Sequence, residues 1–110
     1  MLARLTRRAE FVRAAREGRK AASGHLVLQA LPQPGEATRL GFTATKKIGN
    51  AVRRNRAKRR LRAAARLVLG ERGAPGHDLV LIARNETGSC SFPALLAELD
   101  AALRRTGARP

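Results

Sequence analysis

Lys46-Lys47-Ile48-Gly49-Asn50-Ala51-Val52-Arg53-Arg54-Asn55-Arg56-Ala57-Lys58-Arg59-Arg60-Leu61-Arg62 holds nine Lys or Arg in seventeen residues and no acid. Gly49-Asn50 divides it into the basic end of a strand and a basic helix. The strand runs from about Arg39 to Lys46, with Leu40, Phe42 and Ala44 on one face and Gly41, Thr43 and Thr45 on the other. The helix runs from about Ala51 to Gly70. Its apolar stripe is Ala57, Leu61, Ala64, Ala65 and Val68, at 3.6-residue periodicity. Asn55, Arg59, Arg62 and Arg66 fall on the opposite side, flanked by Arg56 and Arg60. One face therefore packs on a sheet while the other presents guanidinium groups to solvent.

Further elements flank this core. Residues 1–5 read as a short arm. Thr6 is placed to cap a helix reaching about Glu17, with Gly18 as its stop, and Phe11, Ala14 and Ala15 share one side. Residues 25–31 read as a strand ended by Pro32-Gln33-Pro34-Gly35. Its closeness in sequence to the Arg39–Lys46 strand predicts an antiparallel pair, and a short extra strand fits between Gly18 and His25. Beyond the basic helix, residues 71–77 form a Gly-Pro loop. Asp78–Ala83 is a near-continuous apolar run, as expected of a strand buried on both faces. Asn85–Gly88 turns the chain. Ser91 then caps a last helix whose inner face is Phe92, Leu95, Leu96, Leu99, Ala102 and Leu103, and residues 106–110 read as a frayed end. The order α-β-β-β-α-β-α describes an α+β fold with helices around a single sheet.

With 110 residues, one domain is expected over 1–110, and 44% hydrophobic residues support a core. A net charge of +15 points to a polyanion. Nucleic acid comes first and an anionic membrane second, because no segment has the bulky apolar face of a membrane-lying helix. Of the 23 basic residues 19 are Arg, whose planar fork suits phosphate and base edges. Codon bias explains that choice equally well, but not the clustering. The lone Cys90 excludes an internal disulfide, and with His25 and His77 it cannot supply a zinc-finger ligand set. No run is long and apolar enough for a signal peptide or a membrane span, so a cytoplasmic location is expected. Nothing resembles a catalytic centre. His25 and His77 are far apart, Asp78, Glu86 and Glu98 lack metal-ligand spacing, and Ser89 and Ser91 flank Cys90 without a nucleophile motif. No catalytic residue and no metal site is assigned.

The basic helix carries the chemistry. Arginines one turn apart can neutralise several phosphates, so binding should fall steeply with salt. A merely solvated helix would mix signs for i,i+4 pairing, and this one has no acid. Asn55 among the arginines can donate and accept, which suits a base edge, a 2′-hydroxyl or a water. With three Phe and neither Tyr nor Trp, base stacking has few platforms. Phe11 is the best candidate, although an ordinary core position fits its pattern equally well, and Phe42 and Phe92 are assigned to the core.

Arg39-Leu-Gly-Phe-Thr-Ala-Thr-Lys-Lys-Ile-Gly-Asn-Ala-Val-Arg-Arg-Asn-Arg-Ala-Lys-Arg-Arg-Leu-Arg62 closely resembles the signature of the bacterial ribonuclease P protein component. That signature is a strand ending in Ser/Thr-Lys-Lys, then Gly-Asn-Ala-Val, then Arg-Asn-Arg on a helix. Glu10-Phe11 with Gly18 resembles the family's first helix, and Asp78–Arg84 its late strand. The resemblance implies a four-stranded sheet with three helices and a left-handed βαβ crossover, opposite to the usual hand. It also implies a subunit of the ribonucleoprotein endonuclease that removes the 5′ leader of precursor tRNA. The catalytic centre and its Mg²⁺ belong to the RNA subunit, and the protein binds no cofactor. Partners would be ribonuclease P RNA and precursor tRNA, with no DNA and no membrane.

Residue by residue, the resemblance puts Lys46, Lys47, Asn50, Arg53, Arg54, Asn55, Arg56, Lys58, Arg59, Arg60, Arg62 and Arg66 against the catalytic RNA. It puts Phe11, Ala15, Gln29, Arg54, Asn55, Lys58 and Arg62 near the leader, in a cleft between the first helix and the sheet. Ala15 and Gln29 stand where the family often has aromatics, and Ala63 where an acid commonly follows the motif. The cleft should thus be wider and stack bases less well. Two other classes fit the charge: a small ribosomal-type structural RNA-binding protein, and a stand-alone nuclease. The ordered motif argues against the first and the lack of an acid or His cluster against the second.

Overall fold

The computed structural model describes residues 2–109. Its elements are β1 (Leu2–Arg4), α1 (Arg8–Glu17), β2 (Arg19–Ala22), β3 (Leu26–Pro32), β4 (Thr38–Thr43), α2 (Ala51–Leu69), β5 (His77–Ala83) and α3 (Phe92–Arg105). Among the described residues the strands form one mixed sheet in the order β1-β4-β5-β3-β2. The α+β reading holds, but the sheet has five strands rather than four.

The strand with the longest unbroken apolar run, Leu79–Ala83, takes the centre. In β5, Leu79, Val80 and Leu81 are all buried, as a strand covered on both faces requires. It pairs antiparallel with β3, matching Leu28 to Leu81, and parallel with β4, matching Leu40 to Leu79. The expected direct pairing of β3 with β4 is therefore wrong, because β5 lies between them. Their closeness in sequence misleads, since inserting β5 buries both of its faces and both of its edges. The extra strand between Gly18 and His25 is β2, paired antiparallel with β3.

Two layers of helix enclose the sheet. Helices α2 and α3 cover one face, where Leu26, Leu28, Leu61, Leu79, Leu81, Leu95, Leu99 and Leu103 are all at most 1% exposed. Burying each such side chain is worth about 1.5–3 kcal/mol. Helix α1 covers the other face over β3 and β5, with a smaller core of Leu5, Ala14 and Val80 flanked by Phe11 and Ile82. Gly18 closes α1 in extended backbone, φ −76°. A Cβ there would lie 2.5 Å from the Ala14 carbonyl oxygen and 3.0 Å from that of Ala30, so glycine is required by close approach.

Both chain ends, expected as free, are built into the fold. Leu2–Arg4 pair parallel with Thr38–Leu40. At the other end Thr106 and Ala108 are buried, and Arg109 donates to Asp100 at 3.1 Å. Met1 and Pro110 lie outside the described residues. Strand β4 stops at Thr43, so Lys46 and Lys47 sit in a 3₁₀ turn, Lys46–Ile48, instead of at a strand end. Ser91 caps α3 as expected, accepting from the Ala94 N–H at 3.2 Å.

Candidate nucleic-acid interface

The basic helix begins at a turn that glycine permits. Gly49 has φ 131°, and Asn50 then caps α2 by accepting from the Arg53 N–H at 3.0 Å. The stripe Ala57, Leu61, Ala64 and Ala65 is buried as expected, with Leu69 added and Val68 only half-buried. No acid occurs between Glu36 and Glu71.

The cations of α2 divide by what they touch. Arg60 is committed to the scaffold: its Nη1 donates to the Thr87 carbonyl at 2.8 Å, its Nη2 to that of Cys90 at 2.6 Å, and it lies over the Phe92 ring. Arg56 donates to the Gly88 carbonyl at 3.0 Å and Arg54 to that of Gly49 at 2.8 Å. Arg62 lies 5.5 Å from the centre of the Phe42 ring. By contrast Lys46, Lys47, Arg53, Lys58, Arg59 and Arg66, with Asn55, have no side-chain hydrogen-bond or ion-pair partner among the described residues. These are the side chains whose polar groups no other group among the described residues engages.

Strand β1 covers β4 only as far as Leu40, leaving the edge beyond it open. A groove of about 360 Å³ forms there, where Lys58 and Arg62 of α2 meet Phe11 of α1, with Arg4, Leu5, Thr6 and the β4 residues Leu40–Phe42. A neighbouring hollow of about 270 Å³ brings Arg4 together with Arg62 and Arg66. On the far side of α2, Arg53 and Arg56 line a hollow of about 510 Å³ with Ile48, Asn85, Gly88 and Ser89. The Phe11 ring lies against the backbone of β4, which only Gly41 allows: a Cβ there would sit 2.4 Å from the ring.

An ion-pair latch holds α1 on the sheet. Arg39 donates from Nε and Nη2 to the two carboxylate oxygens of Asp78, each at 2.7 Å, and from Nη1 to Glu10 Oε2 at 2.7 Å. Arg39 and Asp78 are partners in register on β4 and β5, and Asp78 is 2% exposed. The other oxygen of Glu10 accepts from the backbone N–H of Thr6 and Arg7, so the capping residue of α1 is Arg7 rather than Thr6. The Arg7 N–H, then that of Thr6, holds the Glu10 carboxyl below its usual range. The hydrogen bond to Asp78 raises Arg39 further.

The structure thus gathers Phe11, Lys58 and Arg62 around one groove, with Asn55 exposed on the same helix. It does not bring Ala15 or Gln29 to that groove. Ala15 is exposed on α1, and Gln29 is 6% exposed, lying between Val80 and Lys20 across the sheet. Arg4 was missed as a groove residue because a three-residue strand is too short to show alternation. Asn85 and Ser89 were missed because only the fold places their turn beside α2.

A family model described as Ribonuclease P matches residues 2–107. The chain belongs to that family. A ribonuclease P protein component from Gluconacetobacter diazotrophicus is 51% identical over 107 residues, spanning 96% of this chain and 92% of that protein. One from Ruegeria pomeroyi is 52% identical over 104 residues, spanning 92% and 83%. The ribonuclease P protein of Thermotoga maritima superposes with a TM-score of 0.76 at 26% identity, over 97% of each chain. That of Staphylococcus aureus gives 0.78 at 26% identity, over 93% of each. Membership places the chain in tRNA processing, as part of a ribonucleoprotein nuclease with ribonuclease P RNA as its RNA partner. Among the described residues no helix is long and apolar enough to cross a membrane.

Proposed function

We propose that this chain binds ribonuclease P RNA through the exposed face of α2 and the 5′ leader of precursor tRNA through the cleft beside α1. The observation that carries this is the acid-free helix with unpartnered cations, joined to Phe11 across the groove at the β4 edge. Arg53, Arg59, Arg66, Lys46 and Lys47 would neutralise phosphates of the catalytic RNA. Lys58, Arg62 and Phe11 would meet a single strand passing between α1 and α2, where cations offset backbone charge and a ring offers stacking. With Ala15 and Gln29 away from this groove, leader binding would depend on its cations more than on aromatic stacking.

The protein performs no bond-breaking step on this reading. Mg²⁺ and the reacting phosphate belong to the RNA. The chain lowers the electrostatic cost of bringing two RNAs together, and so the Mg²⁺ concentration they require. We assign it a cytoplasmic location, one working domain, and the left-handed β4–α2–β5 crossover that the resemblance implies.

The test is cleavage of a precursor tRNA by ribonuclease P RNA at low millimolar Mg²⁺, with and without the protein. Strong rescue is expected, with no cleavage by protein alone. No rescue by folded protein would overturn the proposal and favour a structural RNA-binding role.

A further inference from the structure

We infer that Arg39 is a positioning residue that sets the groove between α1 and the β4 edge, and through it the leader's contribution to binding. The inference rests on the leader-binding reading above. Arg39 lies behind the groove and touches none of its open space. It is the link between the central strand and the first turn of α1.

One end is Asp78, nearly fully buried on the central strand and gripped by two parallel hydrogen bonds of 2.7 Å. The planar fork of arginine gives this pair one geometry. The other end is Glu10, reached by the third donor at 2.7 Å. Glu10 precedes Phe11 and also holds the N–H groups of Thr6 and Arg7. Arg39 thereby fixes the first turn of α1 against β4, with the Phe11 ring two residues along the strand at Gly41. Beside the latch, that turn is held by the Leu5 N–H donating to the Leu40 carbonyl at 2.8 Å and by the packing of Leu5 and Phe11. Among the described residues the core beneath α1 is small, Leu5, Ala14 and Val80 with Phe11 and Ile82 beside them, whereas α2 and α3 share the large leucine core. Loosening the latch should let α1 shift and change the spacing between Phe11 and Lys58 or Arg62.

Glu10→Gln separates this role from folding. The amide oxygen can still accept from Thr6 and Arg7, while the charge facing Arg39 is gone. The readout is the ratio of affinities of the assembled ribonucleoprotein for precursor tRNA and for leaderless tRNA. Glu10→Gln and Arg39→Gln should each lower that ratio about fivefold, with assembly on ribonuclease P RNA unchanged. Arg39→Lys, which keeps charge and loses the fork, should recover only part of it. Phe11→Ala is the control for the leader reading. If Phe11→Ala lowers the ratio and the Arg39 and Glu10 variants do not, the positioning role is overturned alone. If Phe11→Ala also leaves the ratio intact, both readings fall. A lower melting temperature with an unchanged ratio would show that the latch serves stability only, and would overturn the inference.

Discussion

Arg59 and Arg60 are adjacent in sequence, yet their replacement should have opposite consequences. Arg59 and Arg66 are exposed without protein partners, two helical turns apart on α2. Arg60 spends both terminal nitrogens on the Thr87 and Cys90 carbonyls. For each phosphate no longer neutralised, the log–log salt slope of RNA binding should flatten by about 0.7. Between 1 M and 0.15 M salt that is about fourfold in affinity per phosphate, so Arg59→Ala with Arg66→Ala should cost about fifteenfold, or ~1.6 kcal/mol. Thermal stability should not fall. Arg60→Ala should instead remove about 1–2 kcal/mol of folding stability, by loss of hydrogen bonds from a charged donor. Its salt slope should match the parent. Fluorescence anisotropy of labelled ribonuclease P RNA across a salt series, beside urea unfolding, measures both. An unchanged slope in the Arg59/Arg66 double variant would refute the division of α2 into phosphate-facing and scaffold cations. So would a flattened slope in fully folded Arg60→Ala.

Other substitutions probe the packing. Gly41→Ala forces a Cβ to 2.4 Å from the Phe11 ring and 3.2 Å from Leu5; overpacking of this kind costs about 1–3 kcal/mol. Adding Phe11→Ala makes room, so a double-mutant cycle in urea should show a coupling of about 1 kcal/mol in favour of the pair. Leu61→Ala, at a site that is 0% exposed, should cost about 2–5 kcal/mol in urea unfolding. Acid should weaken the fold. Glu10 is lowered by backbone N–H groups and Asp100 chiefly by the Arg104 hydrogen bond. At Glu98 burial pushes upward, but hydrogen bonds from Ser23 and His25 together outweigh it. Carboxyls with lowered folded values stabilise fully above the ordinary carboxylate range, and that stability is lost as pH falls through the lowered values. Thermal melts from neutral pH downward should show this loss, with a shallower decline in Glu10→Gln.

Helix positions were legible because periodicity is a local signal, although α1 is capped by Arg7 rather than Thr6. Ala57, Leu61, Ala64 and Ala65 line the buried stripe of α2, and Ser91 caps α3, as their spacing implies. The burial of β5 was legible from its unbroken apolar run. Its place between β3 and β4 was not, since strand order depends on which surfaces are buried jointly. The basic interface could be read as a charge pattern, but the pattern could not tell Arg59 from Arg60. Arg60 differs because the turn after β5 reaches α2, bringing together residues 27 and 30 positions apart. Arg39 gave no signal at all. Its partners are Asp78, 39 residues away, and Glu10, 29 residues away, and only the folded sheet brings the three together.

The central position of β5 also bears on how the chain is made. β3 and β4 leave the ribosome first, each needing a neighbour that has not been synthesised. Leu26 waits for Ala83, and Thr38 for His77. Until then two strands present bare edges, and the arginine-rich helix emerges behind them without a complete sheet to pack on. Such long-range pairing folds slowly and exposes the nascent chain to aggregation. The helix's own charge counters this, since repulsion between copies keeps unfinished chains apart. The same cations proposed to meet RNA in the mature subunit would thus act earlier as its solubilising segment.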